Sequence, residues 1–462
     1  MLDTPNRDSL RGVWYWAVVF LLVGYFCMGR SFAYWGIPPW HVFIGEIALF
    51  CFLFWGPLSA RGRWPWVAAN SSMLRRFNIL LLISLLFGVF QVLHGIWLGY
   101  PVLSAVRDLA FEYYPVYFFL GVWIASRERD FLQRFFYVAG WASGIYGFFF
   151  ILLLSRIDWF FPGVSQEVAR VPIFGQPLFS GVMILGLLST QNNLLRILPP
   201  LLLNTAVLLG MVIRGEWLAF GVGLFIWALL TRNLKSLALG GAMVLVLLGA
   251  MYLTGFEIQA PEGRGGTISA TDLYGRILAP IDKDLAADYT SDAQMHEETV
   301  AFRTLWWIAI WESVHSSTSR ALFGHGYGFP LGDLVPYLAG NFIRTPHNLF
   351  FYALGYTGWV GVLIIGLLLA EIARLCWKVY RRDGQPFGIV SWVTMMILSL
   401  FTAFFEVPYG AIPFFLMLGC ACAPLCHQRV SVHMTAKKPL SGFLLSAEAA
   451  GQNFEFFRGD AQ

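Results

Sequence analysis

The chain has 462 residues, 58% of them hydrophobic and only 13% charged, with a net charge of +4. Soluble domains carry about 25% charged residues, so this composition excludes a water-soluble fold of the same size. The basic residues are scattered through short segments and form no clustered basic face, which excludes a nucleic-acid partner.

A membrane-crossing helix needs about 20 apolar residues, because lipid offers the backbone no hydrogen-bond partners. In chain order the apolar runs predict spans near 12–29, 39–58, 77–97, 110–125, 135–155, 173–190, 197–213, 217–231, 237–254, 346–372, 388–405 and 411–427. The first has no small-residue cleavage site after it and reads as a retained helix rather than a signal peptide. The fourth is short and carries Glu112 and Pro115. The seventh and eighth form a tight pair around Arg214, Gly215 and Glu216. The fold expected is therefore an all-α integral membrane protein of about twelve transmembrane helices. Its segments are helices one to nine over 1–254, a large loop over 255–345, helices ten to twelve over 346–427, and a polar tail over 428–462. The six cysteines all lie in or beside apolar runs, so no disulfide framework is read. Cys420, Cys422 and Cys426 with His427 do not follow a standard zinc spacing, and no metal is expected.

With the N-terminus in the cytoplasm, alternating the spans puts 20 of the 31 basic residues inside. The positive-inside rule selects this orientation. Both termini then face the cytoplasm, and the long loop between the ninth and tenth spans faces out. Loops of this length are functional or disordered. Its first half, PEGRGGTISATDLYGRILAPIDKD, is rich in turn residues. Its second half, EETVAFRTLWWIAIWESVH, reads as a helix that packs on the membrane helices or lies at the interface.

The junction NFIRTPHNLFFYALGYTGWVG is the most informative stretch. Thr345 is the expected N-cap, Pro346 suits the first helical position, and His347 and Asn348 fall in the first turn. The partial positive charge of a helix N-terminus, with Arg344 nearby, disfavours imidazolium. A neutral His347 is what a general base requires. The bland alternative is that His347 caps the helix at the membrane surface.

The Arg-x-x-His-Asn segment entering a span, the GYTGWVG that follows, and the preceding FRTLWWIAIWESV and LFGHGYG resemble the O-antigen ligase and polymerase superfamily. The likeness is concentrated in 300–366. It implies a glycosyltransferase of the bacterial inner membrane that takes a glycan from a polyprenyl-diphosphate lipid at the periplasmic face, inverts the linkage and uses neither metal nor cofactor. The acceptor implied is a sugar, either a second glycan or lipid A–core. The resemblance carries the family's histidine onto His347 and its arginines onto Arg214 and Arg303. Guanidinium forks bind phosphate oxygens in pairs and stay charged, which suits a diphosphate leaving group. Arg344 and Arg107 are added as diphosphate ligands, and Asn348 and Glu406 as groups that orient substrate. Several have a plainer reading: an outer-leaflet anchor for Arg214, with Glu216 as a partner that weakens its phosphate role, a surface arginine on an amphipathic helix for Arg303, a salt bridge to Asp108 or Glu112 for Arg107, and simple hydration for Glu406. Ligase and polymerase share this donor chemistry and differ in acceptor. A twelve-helix transporter is the alternative of another class, though no repeat relates the two halves of the chain.

Overall fold

The computed structural model describes residues 7–37, 42–59, 73–126, 130–160, 171–191, 193–261, 266–279, 282–290, 292–336, 338 and 344–426. The tail over 428–462, Tyr337 and His427 lie outside the described residues. Helix dominates, and the only strands among the described residues form two short antiparallel pairs, the first of β1 (Gly36–Ile37) with β2 (Val42–Phe43).

Each of the twelve predicted windows overlaps a helix. The first nine meet α1 (Arg7–Ala33), α2 (Ile44–Ser59), α3 (Arg75–Trp97), the broken segment α4 (Val102–Asp108), α5 (Ala110–Tyr113) and α6 (Tyr117–Ala125), α7 (Phe131–Leu152) and α8 (Ser180–Thr190), then α9 (Leu194–Gly210), α10 (Arg214–Thr231) and α11 (Leu234–Thr254). Five described helices are long and apolar enough to cross a membrane: Tyr15–Ala33, Arg75–Trp97, Phe131–Leu152, Leu349–Asp383 and Pro408–Cys426. Several of the other apolar helices are shorter, two of them for a local reason. Pro115 cannot donate to the helical ladder and leaves a tight three-residue turn, Tyr114–Val116, between α5 and α6. The chain before α8 runs extended through Pro172 and Pro177, so that helix begins only at Ser180.

The segment 255–345 is more regular than its turn-rich sequence suggests. A hairpin pairs β3 (Ile258–Gln259) with β4 (Thr267–Ile268). Helix α12 (Ala270–Leu278) follows, capped by the Ser269 hydroxyl on the Asp272 amide. Inside it Arg276 Nε donates to Asp272 Oδ2 at 2.6 Å, and Thr290 Oγ1 donates to Asp272 Oδ1 at 2.6 Å, all buried. After α13 (Lys283–Ala287), the predicted loop helix is α14 (Asp292–Val314), which packs against α16 (Leu349–Asp383). Trp306 is fully buried there and donates to the Leu331 carbonyl at 2.9 Å.

A polar network ties the end of this segment to α3 and α5. Gln91 Nε2 donates to the Phe323 carbonyl at 3.0 Å, Tyr327 Oη donates to Glu112 Oε1 at 3.1 Å, and Ser84 donates to the other oxygen of Glu112. Arg344 forms an ion pair with Asp108, which also accepts the Gly328 amide at 2.8 Å. The GYTGWVG stretch has a matching reason. Gly358 kinks α16 at φ +63°, and a side chain there would meet the backbone of Leu322, near the end of α15 (Thr318–Phe323), at 2.5 Å. Helices α17 (Phe387–Ser399) and α18 (Pro408–Cys422) complete the described chain.

Candidate functional site

One polar cavity, of about 200 Å³, lies where six stretches of chain converge. They are the end of α1, the extended run at 176–179, the start of α10, the middle of α14, and the turn between α17 and α18 together with the residue two places before α16. Its charged and titratable walls are Arg30, Glu216, Arg303 and His347, with Gln176, Thr402 and Tyr409 beside them.

Arg30 reaches this wall because Gly29 breaks α1 at φ +44°; a Cβ there would sit 2.7 Å from the Gln176 carbonyl. Arg303 projects from α14 and donates through Nη1 to the Phe401 carbonyl at 2.8 Å, which uses one of its five N–H groups. Glu216 is buried in the first turn of α10.

His347 stands at a strained backbone position, φ +54°, which only a few per cent of non-glycine residues adopt. This corrects the expected capping. The helix starts at Leu349, and the N-cap is Asn348 rather than Thr345. The Asn348 carboxamide oxygen accepts from the Phe350 and Phe351 amides at 2.9 and 3.2 Å, and its nitrogen donates to the Leu400 carbonyl at 3.0 Å. A left-handed residue cannot continue a helix, so His347 lies outside the first turn. Trp307, stacked on Phe351 at 5.3 Å, donates to the Pro346 carbonyl at 2.9 Å and fixes the adjoining backbone.

The imidazole Nδ1 accepts the Ala403 amide at 3.2 Å. A nitrogen that accepts an N–H carries no proton, so the neutral ring holds its proton on Nε2. Burial, and then the Arg303 guanidinium, push its pKa down from the ordinary 6.5 to about 4. The ring is neutral as expected, but Arg303 rather than Arg344 supplies the repelling charge. Between pH 4 and 6.5 the unfolded chain binds more protons at this group than the folded one. Stability owed to it is complete above pH 6.5 and is lost as pH falls towards 4. The ¹⁵N spectrum of histidine-labelled protein should therefore give His347 a protonated Nε2 and a bare Nδ1, unchanged from pH 8 to 5.5. A titration near 6.5 would contradict this environment.

The remaining predicted residues fall elsewhere. Arg214 is the half-buried first residue of α10; its neighbours Ile213 and Glu216 line the cavity, and it is not itself among the lining residues. Arg344 is turned to Asp108, with its guanidinium carbon 5.9 Å from the centre of the Tyr356 ring, and takes no part in the cavity wall. Arg107 is exposed, and the ion pair foreseen between it and its neighbour Asp108 is made instead by Arg344. Glu406 accepts the Phe404 amide at 2.7 Å through Oε2, while its buried Oε1 has no hydrogen-bond partner; burial raises its pKa to about 7. Simple hydration, its plainer reading, does not describe it. His325 stacks on Phe329 at 4.2 Å, shares a 3.0 Å hydrogen bond with Ser313 and is not among the lining residues. Arg30 went unnoticed in the sequence, although its place directly after a glycine at the end of a span was a usable signal.

Residues 199–366 match the family model described as O-Antigen ligase. The match supports, over that stretch, the resemblance to the O-antigen ligase and polymerase superfamily read from the sequence. No curated protein matches it. The matched stretch of the superfamily carries Ile213, Glu216, Arg303 and His347 of the cavity wall. Arg30, Gln176 and the turn over 398–409 come from outside it. The match and the apolar helices together support a bacterial inner-membrane protein of O-antigen ligase or polymerase type.

Proposed function

We propose that the chain is an O-antigen ligase-like glycosyltransferase. It moves a glycan from a polyprenyl-diphosphate donor to a sugar hydroxyl at the periplasmic face, with inversion and without a metal. The observation that carries this reading is the convergence of Arg30, Arg303 and His347 on one cavity lined by segments within and beyond the matched family stretch.

Breaking the sugar–phosphate bond leaves negative charge on a diphosphate oxygen. Arg30 and Arg303 hold that charge by paired, charge-assisted hydrogen bonds, with Arg214 adding to the positive field beside Ile213. The arginines supply the charge that a metal ion provides in other phosphate sites. The acceptor hydroxyl oxygen attacks the anomeric carbon from the opposite face, and the carbon–oxygen bond to the diphosphate breaks. The expected role of His347 as base changes here. With Nδ1 occupied by the Ala403 amide, the ring presents Nε2–H, a donor, to the substrate. It steadies a donor oxygen, and the carboxylate in the wall, Glu216, takes the hydroxyl proton.

These roles separate by substitution. Glutamine at 347 can accept the Ala403 amide and still donate an N–H; alanine can do neither. His347→Gln should retain about tenfold more transfer than His347→Ala, the worth of one hydrogen bond of about 1.4 kcal/mol. Equal loss in both variants would restore the base assignment.

The function itself is tested with purified protein, a polyprenyl-diphosphate-linked glycan, and two acceptors offered side by side. Transfer to lipid A–core identifies a ligase, and extension of a second lipid-linked repeat identifies a polymerase. Movement of the lipid-linked glycan across a vesicle with no new glycosidic bond would identify a transporter and overturn the proposal.

A further inference from the structure

Among the described residues, four side chains hydrogen-bond the backbone over 400–404, in the turn between α17 and α18. Three come from the stretches that build the polar cavity or cap the helix beside it. The Leu400 carbonyl accepts the Asn348 carboxamide at 3.0 Å, and the Phe401 carbonyl accepts Arg303 Nη1 at 2.8 Å. The Ala403 amide donates to His347 Nδ1 at 3.2 Å. The fourth comes from the turn itself, where the Phe404 amide donates to Glu406 Oε2 at 2.7 Å. Thr402, Ala403 and Phe404 line the cavity and Glu406 does not. Any effect of this carboxylate on the cavity therefore passes through the backbone it holds.

That backbone has little freedom to absorb a change. The Ala403 and Phe404 amides belong to successive rigid peptide planes, with only the two dihedrals of Ala403 between them. Phe404 is buried, so its amide cannot turn to water. On the far side, α18 presses against the same residue; a Cβ at Gly410 would lie 2.2 Å from the Phe404 carbonyl oxygen. A buried N–H without an acceptor is costly. If Glu406 is removed, the turn must reshape to satisfy the Phe404 amide, and the play falls on Ala403 rather than on the side packed against α18. The amide that occupies His347 Nδ1 then moves.

Resting on the function proposed above, we infer that Glu406 is a positioning residue for His347. By holding the Phe404 amide it aims the Ala403 amide at Nδ1, which keeps the imidazole proton on Nε2 and the ring a donor towards substrate. This replaces the substrate-orienting role expected from the sequence, because Glu406 acts at one remove from the cavity.

The test reads His347 by ¹⁵N NMR of the histidine-labelled full chain in nanodiscs, its signals assigned by their loss in His347→Ala. In Glu406→Ala the Nδ1 and Nε2 signals should move towards each other, as the ring exchanges between both tautomers once Nδ1 loses its donor. Glu406→Gln keeps an oxygen that can accept the Phe404 amide and should keep the parent spectrum. Transfer should fall about tenfold in Glu406→Ala, in kcat more than in KM for donor, and should largely recover in Glu406→Gln. The deciding comparison is made in a His347→Ala background. There Glu406→Ala should cost no further transfer, since the group it positions is gone. Glu406→Leu, closer in volume, takes the place of the alanine variant if that one does not elute as a single species. The same loss of transfer in both backgrounds would overturn the inference, as would histidine signals unmoved by removal of the carboxylate. The spectra require no catalysis. Signals that respond to residue 406 in a protein that forms no glycosidic bond keep this positioning and lose the proposed function; glycan transfer with signals that ignore residue 406 does the reverse.

Discussion

Arg303→Lys is expected to lower glycan transfer by about 10²–10³-fold with little change in folding stability. Arg303 extends from α14, half-buried, and one N–H is held by the Phe401 carbonyl. That contact anchors the guanidinium plane at the cavity wall. A leaving diphosphate presents several oxygens whose charge grows only as the sugar bond breaks, so donors fixed beforehand act mainly on the transition state. Lysine keeps the charge but offers a single ammonium on a flexible stem. It must choose between Phe401 and substrate, and it cannot bind two oxygens in parallel. The fall should appear mostly in kcat, with KM for donor changed less. Removing the charge beside the imidazole, as in Arg303→Met, should also raise the His347 pKa from its value near 4, since that charge is one of the two causes of its depression. Full transfer by Arg303→Lys, or an unmoved histidine titration in Arg303→Met, would break the link between these side chains.

Much of this fold was legible because apolar runs announce helices. The windows at 77–97 and 237–254 end where α3 and α11 end and start within three residues of them. Boundaries set by a single residue's geometry were not. Pro346 invites a helix start, yet the left-handed backbone of His347 postpones it, and two amides satisfied by Asn348 move the cap three residues on. The candidate site divides the same way. Arg303 and His347 were identifiable from their local stretches and do share a cavity. Arg344 was grouped with His347 because it is three residues away in sequence, but a buried carboxylate more than 200 positions earlier captures it. Proximity along the chain says little when the partner is that remote. Arg30 is the converse case. It meets Arg303 across the cavity from the far end of the chain, and no periodicity or spacing connects the two.

That division gives Arg344 a different expected phenotype from Arg303. Arg344→Gln and Asp108→Ala should each destabilise the protein by about 3 kcal/mol, read from thermal unfolding in detergent, because each leaves one partner of a largely buried ion pair without its counter-charge. Burial raises the Asp108 carboxyl, and the Arg344 charge and the Gly328 amide work against that rise. Without Arg344 the carboxyl has lost its strongest reason to stay ionised. The pair closes the segment containing Gly328 onto the end of α4, so its loss loosens the anchorage of the whole stretch that leads into His347. Replacing both partners together, Asp108→Leu with Arg344→Met, removes the orphaned charge and should recover part of the stability lost by either single change. Transfer per folded molecule should remain within a few-fold of the parent in that double variant, because neither side chain faces the cavity. A double variant that folds well yet transfers a hundredfold more slowly would return Arg344 to the diphosphate site.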